Sequence, residues 1–171
     1  MFSLIKNIPK LTRNIKYDKF HCFANFNSID ICKLGNLLES SFGQPLPDFY
    51  LATLPHRLEA LYLSESYSAC AIITKGVERE RPPYLCKFAV SKECQGQGYG
   101  DDLWNHLTKD FSSLHWRSQK KNKYINPWYL ERSEGCFMDK EWIVFWYGLN
   151  NLDARKVREF AQHAAAIPPT F

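Results

Sequence analysis

The chain has 171 residues, 45% of them hydrophobic, and a formal net charge of +4. That is the length of one domain with enough apolar material for a core. No apolar run is long enough to span a bilayer, and the mild positive charge comes without a basic stripe or nucleic-acid motif, so membrane insertion and nucleic-acid binding are excluded in favour of a small anionic ligand.

Residues 1–14 form a basic arm, with Lys6, Lys10 and Arg13 and no acid. It reads as a solvated segment, with a mitochondrial presequence as the alternative. Residues 15–26, with aromatics at 17, 20, 23 and 26, predict an opening strand. Ser28 or Asp30 caps a helix through Ile31, Leu34, Leu37 and Leu38 to Phe42, which Gly43 ends. Pro45 and Pro47 force a loop, and Asp48 caps a second helix. Leu58–Leu63 and Tyr67–Thr74 read as a hairpin turning at Ser64-Glu65-Ser66, and Gly76–Pro83 as a charged loop. A short apolar strand, residues 84–91, leads through Gly96, Gly98 and Gly100 into a helix with Leu103, Trp104, Leu107 and Phe111 on one face. Ser113–Ser118 predicts a strand, and Asn126 a cap with Pro127 at the first helical position. Ser133-Glu134-Gly135 reads as a turn, and Glu141–Leu149 as a central strand, apolar on both faces. Asp153 caps a last helix that Pro168-Pro169 follow. The order is α+β, a mixed sheet flanked by helices.

The six cysteines (22, 32, 70, 86, 94 and 136) form no C-x-x-C and no zinc-finger spacing, so they read as reduced thiols and no metal is expected. With no secretory signal, the expected setting is cytoplasmic, the mitochondrial matrix being the alternative.

The glycine turn carries the first chemical signal. Glycines just ahead of a helix let main-chain N–H groups gather round an anion, and the helix dipole adds partial positive charge there. A P-loop would need Lys-Ser/Thr after Gly100, where Asp101-Asp102 stand; a dinucleotide fingerprint would need glycine at 101 or 103. What remains is Gln95-x-x-Gly98-x-Gly100 between strand and helix. It resembles the acetyl-CoA pyrophosphate turn of the GNAT acetyltransferases, with Gln95, Gly96, Gln97, Gly98, Tyr99 and Gly100 as cofactor-binding residues.

The downstream region sharpens the resemblance. Trp116-Arg-Ser118, Asn122, Asn126-Pro-Trp-Tyr129, Ser133-Glu-Gly-Cys-Phe137 and Trp142-Ile-Val-Phe-Trp-Tyr-Gly148 follow one another. Upstream stand Ser41-Phe-Gly43, Leu63-Ser-Glu65 and Tyr84-x-x-Lys87-Phe88. Together, over about residues 15–167, they resemble the acetyltransferase domain of vertebrate-like N-acetylglutamate synthases and of bifunctional synthase/kinases. The resemblance implies a GNAT N-acetyltransferase domain over residues 15–171, standing without the amino-acid-kinase domain. It would transfer acetyl from acetyl-CoA to the α-amine of an amino acid, L-glutamate first.

In that family a main-chain N–H of the pantetheine strand, here within Phe88-Ala89-Val90, serves the thioester carbonyl. Tyr129 is the expected proton donor to the departing thiolate. Asn122 matches the asparagine near the reacting amine. Lys87 and Arg117 are the expected carboxylate ligands, Arg117 as a bidentate fork. Gln44 and Gln119 stand where the family carries cations, which keeps a different amino-acid acceptor open. A non-catalytic CoA-binding module and a GNAT enzyme for another amine are the alternatives. A homodimer or a kinase subunit is the expected partner.

Overall fold

In the computed structural model, residues 18–75, 82–149 and 153–170 are described; the basic arm and most of the Gly76–Pro83 loop lie outside them. The described chain forms one seven-stranded sheet, in the order β1-β2-β3-β4-β5-β7-β6. Its strands are β1 (Phe20–Phe23), β2 (Leu58–Ser64), β3 (Ala69–Thr74), β4 (Tyr84–Val90), β5 (Leu114–Gln119), β6 (Gly135–Met138) and β7 (Trp142–Tyr147). Every neighbouring pair is antiparallel except β4 and β5, which are parallel.

Among the described residues five α-helices cover the sheet: α1 (Ile31–Phe42), α2 (Asp48–Thr53), α3 (Tyr99–Asp110), α4 (Asn126–Arg132) and α5 (Ala154–Ala165). Strand alternation sorts the side chains to two faces. On one, Tyr62, Ala71, Ile73, Leu85, Trp116 and Phe145 pack with Leu103, Trp104 and Leu107 of α3 and Tyr129 of α4 in one continuous core. On the other, Leu61, Leu63 and Ile72 pack with Leu34 and Leu38 of α1 and Tyr50 of α2. On that same face, a separate cluster joins Val144 of β7 to Phe160, Ala161 and Ala164 of α5.

Local chemistry accounts for the helix ends. Asp30 is the cap of α1: its carboxylate accepts from Lys33 N–H, and Gly43 closes the helix in the left-handed region at φ 69°. Asp153 does the same for α5, accepting from Lys156 N–H. Several expectations need correction. Pro47 occupies the cap position of α2, and Asp48 is its first residue, where its charge still favours the helix N-terminus. Ile125 precedes α4; Asn126 lies inside it, and its amide donates to the Gln119 carbonyl at 3.1 Å. The 133–135 turn ends at Gly135, which opens β6 and pairs with Trp146. Strand β7 lies second from an edge rather than at the centre; it is apolar on both faces because β5 and β6 flank it while α5 and the α3/α4 core cover it.

The sheet parts in its middle. The register of β4 with β5 is the single pair Tyr84–His115, supported by His115 N–H to Pro83 O at 3.1 Å. Beyond it, β4 runs to Val90 and β5 to Gln119 without pairing.

Candidate active site

A cleft of about 810 Å³ opens where β4 and β5 part. Both strands line it, together with the 94–101 turn, Asn122, Trp128 and Tyr129, Ser41–Gln44 at the end of α1, Arg57, and residues 167–170. A smaller depression of about 580 Å³ lies at Lys120, Lys121 and Lys140, away from the glycine turn.

At one end stands the turn. A single 3-10 turn (Lys92–Cys94) follows β4, and Gln95 returns a side-chain N–H to Val90 O at 3.3 Å. Gly96 and Gly98 are both left-handed, at φ 73° and 89°. A Cβ at either would meet nothing within 4 Å, so glycine there serves backbone conformation and leaves the surface open. Gly98 is the N-cap of α3 and supplies no side-chain cap, so the first N–H groups of the helix face outward. Asp101 in that first turn would repel an anion, but Arg132 pairs with it and Trp128 Nε1–H donates to it at 3.2 Å. The Arg132 guanidinium lies 3.8 Å above the Trp128 ring. Of the expected turn residues, Gln95, Gly96, Gly98 and Gly100 line the cleft. Gln97 and Tyr99 do not: Gln97 bonds back to Glu93 O, and Tyr99 packs edge-on against Phe20.

The middle of the cleft is β4 backbone over an aromatic layer. Ser91 N–H bonds to the carbonyl of Ser68, the residue just before β3. By antiparallel alternation Ala89 also turns to β3, while the N–H groups of Val90 and Phe88 face the gap. Beneath them Phe88, Trp104, Trp116, Trp128, Tyr129 and Phe145 pack ring to ring at 5.1–6.5 Å. Tyr129 is 8% exposed. Burial, and the neighbouring Tyr84, push its phenol above the ordinary range, so it stays protonated. Its hydroxyl makes no hydrogen bond among the described residues. The Trp116 Nε1–H is also buried without a partner. Asn122 is exposed at the rim, its main chain engaged with Gln119 O and Asn126 N–H.

The cations gather on the opposite face of the sheet. Lys87 is 6% exposed, its ammonium 5.2 Å from the centres of both the Phe42 and Tyr50 rings. Burial lowers its pKa to about 8, and the charges of Arg57 and Arg117 act in the same direction. Arg57 lies over the same Tyr50 ring, 5.4 Å from its centre. Arg117 lies 4.0 Å over Trp142 and donates to the carbonyls of Ala164 and Ala165 at the end of α5, at 3.3 and 2.7 Å. Gln44 and Gln119 line the same end. The sequence reading missed Arg57, whose only signal is a cation just before a strand, and missed residues 167–170, which carry no motif.

No helix among the described residues is long and apolar enough to cross a membrane. No group of three or more His, Cys, Asp or Glu side chains among them could hold a metal ion.

N-acetylglutamate synthase from Mus musculus is 45% identical over 169 residues, 99% of this chain and 30% of that protein. An acetylglutamate kinase from Xanthomonas campestris is 36% identical over 150 residues, 86% of this chain and 34% of that protein. The chain thus spans about a third of the length of the curated relatives it matches. Among solved structures, the ribosomal-protein-S18-alanine N-acetyltransferase of Escherichia coli superposes with TM-score 0.59 at 14% identity, over 75% of this chain and 93% of that one. The N-acetylglutamate synthase of Neisseria gonorrhoeae, complexed with coenzyme A and N-acetyl-glutamate, gives 0.54 at 17% identity, over 77% and 36%. The fold is therefore that of the GNAT acetyltransferases. With the family model matched over residues 15–167, the chain belongs to the NAT family, the N-acetyltransferase of N-acetylglutamate synthase.

Proposed function

We propose that this domain acetylates the α-amine of L-glutamate with acetyl-CoA as co-substrate. One observation carries the reading: one cleft, where β4 and β5 part, is lined by an open, uncapped helix N-terminus, by Lys87, Arg57 and Arg117, and by Tyr129. The names of the relatives, synthases and an amino-acid acetyltransferase, support it.

The residues at the turn fit the co-substrate. Gly96, Gly98 and the first N–H groups of α3 would take the pyrophosphate, as unpaired donors at a helix N-terminus do. Acetyl-CoA supplies an acetyl group activated as a thioester. The N–H groups of Phe88 and Val90 face the gap and are placed to polarise a carbonyl there, already oriented by the β3 ladder. Ala89 lies between them on the β3 side. Lys87, Arg57 and the remaining donors of Arg117 hold carboxylates; a guanidinium has five N–H groups, and the α5 carbonyls use one nitrogen of it. Asn122 at the rim orients the incoming amine. Tyr129, held protonated by burial, donates toward the sulfur as charge develops on it. The aromatic layer around it excludes water.

Mouse and human relatives are named mitochondrial, which supports a mitochondrial setting over a cytoplasmic one. The kinase relative supports an acetylglutamate-kinase polypeptide as the working partner. The test is CoA thiol release from acetyl-CoA by purified protein with a panel of L-amino acids. Turnover with L-glutamate above all others is expected. Turnover with another amino acid alone would move the acceptor assignment, and none with any would remove the catalytic reading.

A further inference from the structure

Helix α4 carries Tyr129 but has little of its own to hold it in place. It is seven residues long, too short to stand alone in water, and no side chain caps its N-terminus. Tertiary contacts must fix it. At its first residue the Asn126 amide donates to Gln119 O. Further along, two of its side chains converge on one residue of another helix, Asp101 of α3. The Trp128 Nε1–H donates to Asp101 Oδ1 at 3.2 Å, and the Arg132 guanidinium pairs with the same oxygen. Arg132 also donates to Trp128 O at 3.2 Å and lies 3.8 Å over the Trp128 ring. Asp101 stands in the first turn of α3, directly after the glycine turn. There the Trp128 ring packs against Gly100, where a Cβ would lie 3.8 Å from Trp128 Cζ2 and from Phe88 Cε1.

A carboxylate beside a seat for phosphates repels them as a like charge. This one also takes two hydrogens from the helix that carries the proton donor. A carboxylate oxygen has two lone pairs, so it can hold both bonds at once. Tyr129 follows Trp128 directly, and the two ring centres lie 5.5 Å apart. The Tyr129 N–H is tied to Ile125 O at the start of the same helix. Its hydroxyl makes no hydrogen bond among the described residues, so its aim depends on where α4 lies. We propose that Asp101 is a positioning residue: it clasps α4 to the cofactor turn and so aims the Tyr129 hydroxyl at the sulfur of acetyl-CoA seated there. The clasp joins the seat of the cofactor and the carrier of the proton into one piece. This inference rests on the proposed acetylation of L-glutamate with Tyr129 as proton donor.

The experiment is steady-state kinetics of the whole chain with L-glutamate and acetyl-CoA as separately varied substrates. The Asp101 side chain is 60% exposed, so replacing it leaves the core intact. Asp101→Ala is expected to lower kcat about tenfold, a modest loss for a misplaced reacting group. The KM for L-glutamate should stay within about twofold. Asp101→Asn keeps an oxygen that can accept from both Trp128 and Arg132, and should recover kcat to within about threefold of wild type. In the Tyr129→Phe background there is no hydroxyl to aim, and there Asp101→Ala should lower kcat by less than about twofold more. An unchanged kcat in Asp101→Ala overturns the inference, as does an Asn variant no better than Ala, or the full loss persisting beside Tyr129→Phe. Ala and Asn altering only the KM for acetyl-CoA, by the same factor, would make Asp101 a charge beside the phosphates and overturns it too. Each of these leaves the activity standing. Absence of wild-type turnover with L-glutamate, or a Tyr129→Phe variant as fast as wild type, overturns the reading beneath, and the clasp with it.

Discussion

Tyr129→Phe removes one oxygen from the centre of the cleft and leaves the rest of the side chain in place. The ring keeps its contacts with Trp116, Trp128 and Phe145 at 5.5–5.8 Å between centres. No described group loses a hydrogen-bond partner, so the usual penalty for orphaning a buried donor or acceptor does not arise. Stability should therefore change by less than about 1 kcal/mol, and the fold around the turn should hold acetyl-CoA as before. The chemical step is different. A positioned proton donor contributes about 100-fold or more to such a reaction. Losing it corresponds to roughly 2.7 kcal/mol of barrier. The assay is kcat for L-glutamate by thiol release, alongside acetyl-CoA titration calorimetry and a melting curve. Expected are a kcat lower by about two orders of magnitude, an acetyl-CoA Kd within about twofold, and an unchanged Tm. Because burial raises the phenol pKa, the wild-type enzyme should show no alkaline loss of activity traceable to Tyr129. A variant that turns over at the wild-type rate would refute the reasoning, since the hydroxyl would then be a bystander in an aromatic core.

Three further outcomes follow from other parts of the structure. Lys87 has its pKa lowered to about 8, so its charge is present below that pH and lost above it; the affinity for N-acetyl-L-glutamate, which has no titrating amine, should fall almost tenfold per unit at higher pH, and a flat titration would take Lys87 out of the site. Gly98→Ala places a Cβ on a residue at φ 89°, a left-handed geometry that costs about 1–2 kcal/mol; acetyl-CoA affinity should fall by roughly tenfold in calorimetry, with Gly98→Asn milder, because asparagine tolerates that region. Gly148→Ala combines φ 72° with a Cβ 2.0 Å from Ser112 O and should cost about 3 kcal/mol or more, read as a clear drop in Tm; a melting point near wild type would show that the β7 exit can shift.

Where the determinants are local, the sequence was sufficient. Asp30 and Gly43 bracket α1 because capping needs only residues within a turn of the helix end. The run from Trp142 to Tyr147 declares itself a buried strand by composition. The glycine turn was legible because positive φ and an uncapped helix are written in three residues. Strand β6 was not, since it is four residues long, opens on glycine and leaves Cys136 and Met138 exposed, which matches a turn as well as an edge. The parting of β4 from β5 is a relation between residues some thirty apart and leaves no periodic mark. Arg117 shows the same limit at the level of one side chain. Its strand and its place in the cleft were foreseen, but its bonds to Ala164 and Ala165 join residues 47 and 48 positions apart.

The parted sheet has a mechanical consequence. On the α3/α4 face the core runs unbroken across both halves; on the other face α1 and α2 serve one half and α5 the other. The molecule is thus two slabs sharing an aromatic spine, and the missing rungs between Tyr84 and Val90 are open to any extended ligand with amide groups of its own. A pantetheine arm lying there would serve as a surrogate strand, bonded to both slabs at once. Occupancy should then raise the unfolding temperature and make the two halves melt together, with the gain growing as the logarithm of ligand concentration.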